Sequence, residues 1–334
     1  FTFMIVSYLV RAAGDLGSEA LSYLSPMGVA YRTYPYYKNN WLMIILLVLI
    51  SLVFAGVALY LNSVRDHGAG LVASKPGRTH ATRFLQSPLG LVLRISRTST
   101  IAWLVGIYVL GASYGSVLGD LDSFFETNEM FKLMLPQNAD YTMTEQFITL
   151  ILVILAMCGL VPVLQLVLKI RGEEIRGRNE HIMARAVSRK SYLACYVFSS
   201  AILAFIMQFA AVVGLWSSGS AVMDSPLSLG RMLANGLVYM PAALLLLGIA
   251  VFFVGCLPKA SSAVWVYLGY CFFTEYMGNL LKLPKWTKKL TPYGYTPKLP
   301  VDEMKPLNLV LITVIAFVLI WAGFAGFNKR DLEG

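Results

Sequence analysis

Charge is scarce in this 334-residue chain: 13% of its residues are Asp, Glu, Lys or Arg, against about 25% in an average soluble domain. The apolar fraction is 57% and the mean hydropathy +0.66. So little polar surface excludes a water-soluble particle and indicates an all-α polytopic membrane protein. Cysteine is also sparse. Cys158, Cys195, Cys256 and Cys271 lie in or beside apolar runs without C-x-x-C spacing, so neither a disulfide framework nor a thiolate metal site is expected. His67, His80 and His181 are scattered through polar segments, and none stands near a Cys or carboxylate at ligand spacing. The phosphate-cradling G-x-x-x-x-G-K-[S/T] is missing, and Lys75-Pro76-Gly77-Arg78-Thr79 does not match it. G-x-S-x-G is missing too. The chain is expected to carry no catalytic residues, to bind no metal and no cofactor of its own, and not to be an enzyme.

Long apolar runs are abundant. Seven are long enough to cross a hydrocarbon core of about 30 Å: residues 41–62, 101–118, 147–168, 192–216, 232–254, 263–281 and 306–327. Residues 1–10 are apolar from the first position and are expected to be the tail of an eighth span. The net charge of +9 does not indicate nucleic acid, because Lys and Arg gather in the segments between spans. Segments 63–100 and 169–190 carry six and seven basic residues against one and three acids, and are expected to be cytoplasmic. The acidic segment 119–146 is expected outside, and the C-terminus inside. One segment dissents: 282–305 holds six Lys and two acids on the predicted outer side.

A repeat runs through the chain. Leu24-Ser25-Pro26-Met27-Gly28, then a Tyr/Pro-rich loop, a span and Arg65-Asp66, recurs as Leu290-Thr291-Pro292-Tyr293-Gly294, a similar loop, a span and Arg330-Asp331. The offset is 266 at the motif and 265 at the span end. Arg11 then falls opposite Glu275, at an offset of 264. Parallel duplicated halves are a common transporter plan. The expected organisation is the end of a first transmembrane half over 1–63, a cytoplasmic linker over 64–80, and a complete six-span second half over 81–334. The rest of the first half is expected upstream.

The second half opens with Ser87-Pro88-Leu89-Gly90-Leu91-Val92-Leu93-Arg94, a capping hydroxyl followed by Pro at the first helical position. Between its second and third spans lies Glu173-Glu174-Ile175-Arg176-Gly177-Arg178-Asn179-Glu180, followed by Val187-Ser188-Arg189. This order resembles the permease half of ATP-binding cassette (ABC) exporters, and the wording resembles the tetronasin-exporter-like permeases of polyketide antibiotics. That family shows SPLG-x-x-LR, EE-x-x-GR-x-E followed by V-S-R, and LSP-x-G. The second copy departs from it, reading Leu-Thr-Pro-Tyr-Gly.

The resemblance implies an interfacial elbow helix before the first span, a coupling helix between the second and third, and short re-entrant helices before the sixth. It implies export of a hydrophobic or amphipathic, drug-like compound by alternating access in a bacterial cell membrane. ATP and Mg would be held by separate P-loop ATPase subunits, two per permease, alongside membrane lipid and a small lipophilic substrate as further partners. Glu173, Glu174, Arg176, Gly177, Arg178, Glu180 and Arg189 would couple to the ATPase, with Glu174 and Arg178 able to pair at i,i+4. Ser25, Pro26, Gly28, Thr291, Pro292 and Gly294 would form paired re-entrant caps. Arg11, Glu275, Gln208, Tyr267 and Tyr270 are candidates for the transport path. Read on the residues alone, the first reading is structural: an ion pair or interfacial placement for Glu275, an interhelical hydrogen bond for Gln208, and a lipid-facing or packing role for the tyrosines. A permease for a lipid or cell-envelope glycopolymer and an ion-coupled secondary transporter stay open.

Overall fold

The computed structural model describes residues 23–64, 80–119, 121, 141–184, 187–223 and 228–330, with residues 4, 6–8, 10, 11 and 20. The expected linker falls almost wholly outside the described residues, as do most of the acidic segment, Arg65, Asp66 and Asp331. The chain divides into two compact units, residues 1–79 and 80–334. Among the described residues there are helices and turns but no strand.

The first unit contains α1 (Pro26–Tyr31) and α2 (Trp41–Val64). Ser25 caps α1 and Pro26 occupies its first turn, where a missing N–H costs nothing. No residue of α2 is buried.

The second unit contains α3 (Pro88–Ser116), α4 (Met143–Ile175), α5 (Arg178–Met183), α6 (Arg189–Val222), α7 (Leu229–Leu237), α8 (Met240–Cys256), α9 (Ala263–Met277), α10 (Lys285–Lys289) and α11 (Pro306–Lys329), with 3₁₀ turns at Arg83–Gln86 and Pro292–Tyr295 among others. Apolar on all sides, α4 is the buried centre of this unit, as such a helix must be within a bundle. Its start is a capping box. Thr142 Oγ1 accepts from the Glu145 N–H, and the Glu145 carboxylate accepts from the Thr142 N–H at 3.0 Å.

Glycine sets the closest helix pairs. Gly111, Gly115 and Gly119 recur every fourth residue towards α6. A Cβ on Gly111 would stand 2.4 Å from the Ala211 carbonyl oxygen, and one on Gly115 2.4 Å from that of Leu215. Facing them, a Cβ on Gly214 would stand 2.3 Å from the Tyr108 carbonyl oxygen. Residues about 100 apart in sequence therefore meet, and α3 and α6 run parallel at backbone contact. The same device joins α8 to α11, where a Cβ on Gly255 would lie 2.0 Å from the Gly323 oxygen and one on Gly248 2.8 Å from that of Ala316. Running antiparallel to α3, α4 accepts the Trp103 indole N–H on Gln165 Oε1 (3.2 Å) and sends Lys169 to the Ile95 carbonyl (3.4 Å).

Six helical segments are long and apolar enough to span a membrane: Trp41–Val64, Pro88–Gly119, Met143–Ile175, Arg189–Val222, Leu229–Cys256 and Pro306–Lys329. Three expectations are corrected. The interfacial helix expected before the first span is not a separate element: α3 is continuous, because no Pro interrupts it after Pro88 and the Ser96 hydroxyl folds back onto the Val92 carbonyl (2.8 Å). The span expected over 263–281 is regular helix only to Met277, about 22 Å long. Beyond it, Lys282 at φ +48° reverses the chain and lets the Leu283 N–H reach the Gly278 carbonyl (2.9 Å). Finally, of the two prolines inside expected spans, Pro162 and Pro241, each expected from its missing N–H to kink its helix, Pro241 instead opens a new one, α8, after a break at Val238-Tyr239. Pro162, by contrast, sits inside the unbroken α4.

Candidate functional site

Two polar clusters occupy the opposite ends of α4. At its C-terminal end, Gly177 at φ +65° stops the helix, and α5 starts at once. The two glutamates before this corner are buried. Glu174 takes a two-pronged contact from Arg330 at the end of α11, with Nη2 2.9 Å from Oε2 and Nη1 on Oε1. Arg171 adds a third contact at 3.2 Å. Glu173 pairs with Arg178 at 3.4 Å. Arg189 donates to the Arg330 backbone carbonyl at 2.7 Å, tying the start of α6 to the same knot. On α5, Asn179 accepts the Tyr192 hydroxyl at 2.7 Å. The expected Glu174–Arg178 pair does not form, because the left-handed Gly177 breaks the helix between them and a buried carboxylate selects the buried guanidinium. Ile175, Arg176, Arg178 and Glu180 are exposed. The corner is therefore a rigid root of Glu173, Glu174, Arg189 and Arg330 bearing an exposed, mixed-charge tip.

The other cluster surrounds Glu275 on α9. Its carboxylate is buried and accepts Lys298 Nζ at 2.6 Å and the Thr291 hydroxyl at 3.4 Å. Thr291 also accepts the Gly294 N–H at 3.1 Å, and Pro292 holds the first position of the 3₁₀ turn. Lys288 donates to Asn279 Oδ1 at 2.8 Å. Burial, then the neighbouring Lys298, pull the Lys288 ammonium below the ordinary lysine range, while Glu275 acts against them. The Tyr267 hydroxyl donates to the Leu290 carbonyl (2.9 Å) and that of Tyr270 to the Thr287 carbonyl (3.0 Å). Both tyrosines proposed for a transport path are thus fasteners of the 285–296 segment. Thr149 on α4 reaches the Leu299 carbonyl at 3.2 Å. A water-sized cavity of about 10 Å³ lies among Thr149, Glu275, Asn279 and Lys298.

Gln208 serves a third place. From α6 its amide donates to the Gly236 carbonyl at the α7–α8 break at 3.0 Å, an oxygen that also accepts the Tyr239 N–H. This is an interhelical hydrogen bond, the structural reading of Gln208.

In the first unit, Ser25 repeats the geometry of Thr291. Ser25 has φ −103° and ψ 124°, accepts the Gly28 N–H and precedes Pro26; Thr291 has φ −105° and ψ 145°, accepts the Gly294 N–H and precedes Pro292. Ser25 and Gly28 are buried, and Ser25 Oγ donates to the Ser7 carbonyl at 2.6 Å. Arg11 lies over the Tyr31 ring at 4.5 Å, while Glu275 has Lys298, so each has a partner within its own unit.

Arg330 and Lys298 were missed as functional residues in the sequence. The first counted only as a landmark of the repeat, and the second as one charge of the dissenting segment.

Among known proteins, the model for the C-terminal domain of the multidrug efflux system permease Rv1217c matches residues 85–328. The multidrug efflux system permease protein Rv1217c of Mycobacterium tuberculosis (strain ATCC 25618 / H37Rv) is 28% identical over 338 residues, a match covering 100% of this chain. The chain spans 61% of that relative's length. Both clusters at the ends of α4, apart from Arg330, fall inside the matched region, and the chain belongs to the family of the multidrug efflux permease Rv1217c C-terminal domain.

Proposed function

We propose that this chain is the membrane-embedded part of an ATP-driven exporter that moves hydrophobic or amphipathic, drug-like compounds out of a bacterial cell by alternating access. A separate P-loop ATPase, in two copies with ATP and Mg, would dock on the corner at residues 175–180. The observation that carries this reading is the construction of that corner: an exposed tip of Ile175, Arg176, Arg178 and Glu180 on a root locked to α4, α6 and α11. A push on such a tip reaches three long helices without being absorbed by soft side chains. At the far end of the second unit the Thr291–Gly294 turn would cap the outer mouth of the path. The basic ends of α3, α6 and α11 would face the cytoplasm. Against an ion-coupled carrier stands the state of its carboxylates. Among the described residues the buried ones are Glu173, Glu174 and Glu275, and each is held by a cation.

The test uses inverted membrane vesicles containing the full-length permease and its ATPase. Arg176→Glu with Glu180→Lys alters only the exposed tip. It should leave insertion and thermal stability unchanged while uncoupling ATP hydrolysis from uptake of a fluorescent lipophilic drug. Undiminished uptake by the variant, or wild-type uptake driven by a proton gradient without ATP, would overturn the reading.

A further inference from the structure

We infer that the groove between the end of α11 and the start of α6 is a binding site for an anionic phospholipid. The groove encloses about 610 Å³ and is lined by Phe317, Ile320, Trp321 and Phe324, with Lys190 and Lys329 at its mouth. The apolar residues follow i, i+3, i+4, i+7 spacing along α11, so they form one stripe leading to the lysines. From Phe317 to Lys329 the helix rises about 18 Å. That is close to the depth of one leaflet, half of a core of about 30 Å. An acyl chain can lie along the stripe while its phosphate meets the two ammonium groups.

Charge complementarity selects the occupant. No carboxylate lines the groove, and neither lysine has an ion-pair partner among the described residues. The nearby Glu174 is held by Arg330 and Arg171, so among the described residues it offers the two lysines no counter-charge. Lys190 stands in the first turn of the 34-residue α6, whose N-terminal amides add to the positive potential. A neutral lipid would fill the stripe equally well but would leave the lysines without a counter-charge. A second groove at the same end of the bundle, of about 410 Å³, repeats the chemistry with Arg94 and Arg97 beside Leu93 and Ile101. Basic grooves at one membrane face are suited to anionic headgroups. The inference goes beyond the export reading and holds whatever drives transport.

Trp321 is the reporter, since it lines the groove and is 72% exposed. The full-length permease is placed in nanodiscs with brominated phosphatidylglycerol or brominated phosphatidylcholine, and the Trp321 signal is isolated by subtracting a Trp321→Phe variant. Phosphatidylglycerol should quench Trp321 at a lower mole fraction, by roughly fivefold for each lysine. The preference should shrink as salt is added. Lys190→Gln with Lys329→Gln should bring the two lipids level. Equal quenching by both lipids in the wild type would reduce the groove to unselective lipid contact. Quenching by neither would mean that protein covers it, and a preference surviving in the double variant would mean that other cations attract the lipid. Each of these outcomes overturns the inference, and the wild-type comparison decides it even if the double variant fails to insert.

Discussion

Glu174 shows how burial changes the meaning of a charged residue. In the sequence it is one of ten charged residues in segment 169–190 and reads as part of a solvated coupling helix. In the structure it is 2% exposed and clamped by Arg330 and Arg171. A buried carboxylate stripped of its partner is far costlier than an exposed one. Glu174→Ala or Arg330→Ala should each therefore lower stability by about 3–5 kcal/mol, whereas the double variant should cost much less than their sum. Thermal unfolding of the purified permease checks this. Arg178→Ala removes a half-exposed partner from Glu173, whose carboxylate is less buried than that of Glu174 and keeps more access to water, so it should cost less than either of those single changes. Equal losses at Glu174 and Arg178 would remove the distinction between root and tip. The identity of the corner was legible because its charge density interrupts apolar sequence. Its partner Arg330 was not, because pairing across 156 positions leaves no local trace. The hydroxyl cap at Ser87 was legible for the opposite reason: a cap is a bond between residues three apart.

At the scale of the helix, glycine separates packed faces from free ones. Gly255 and Gly115 touch the backbone of a neighbouring helix, and a methyl group there must push two helices apart. Gly106 and Gly172 have nothing within 4 Å of a Cβ. Gly255→Ala and Gly115→Ala should thus destabilise the bundle by about 1–3 kcal/mol. Gly106→Ala and Gly172→Ala should stabilise it by about 0.5–1 kcal/mol through the helix propensity of alanine. The four midpoints measured side by side decide it; a common sign would mean that α3–α6 and α8–α11 are not joined at backbone contact. Hydropathy located the long apolar segments but misjudged three details. The resemblance implied an interfacial helix before the span, yet nothing in residues 89–116 breaks the backbone ladder. Over 263–281 composition favoured a full crossing, but the left-handed turn at Lys282 is a conformational event with no apolar signature. At Pro241 the missing N–H was foreseen; that the helix would separate there, with Gln208 arriving from α6, depended on a residue 33 positions away.

Across the whole chain, the two ends of the second unit differ in charge and chemistry. Arg94, Arg97, Lys190 and Lys329 gather at one end, and the Glu275–Lys298 cluster lies at the other, so the bundle has a polarity that impermeant labelling can read. In a background without the four native cysteines, Glu303→Cys should react with a membrane-impermeant maleimide added to intact cells. Glu180→Cys should react only after the cells are opened. The reverse pattern would place the basic end outside and remove the docking surface for an ATPase. In the one dissenting segment, two of the six lysines of 282–305 are bonded inside the unit, Lys298 to Glu275 and Lys288 to Asn279, and act as internal fasteners. The sequence was sufficient for the membrane class, six of the seven long apolar segments and the Ser87 helix cap, because each depends on composition or on neighbours within a turn of one another. Folding was needed to choose the partners of Glu174, Glu275 and Gln208, the parallel helix pairs and the lipid-facing groove. Those choices depend on which distant backbones come within a few ångströms, and desolvation then makes a pairing indifferent in water obligatory in the bundle.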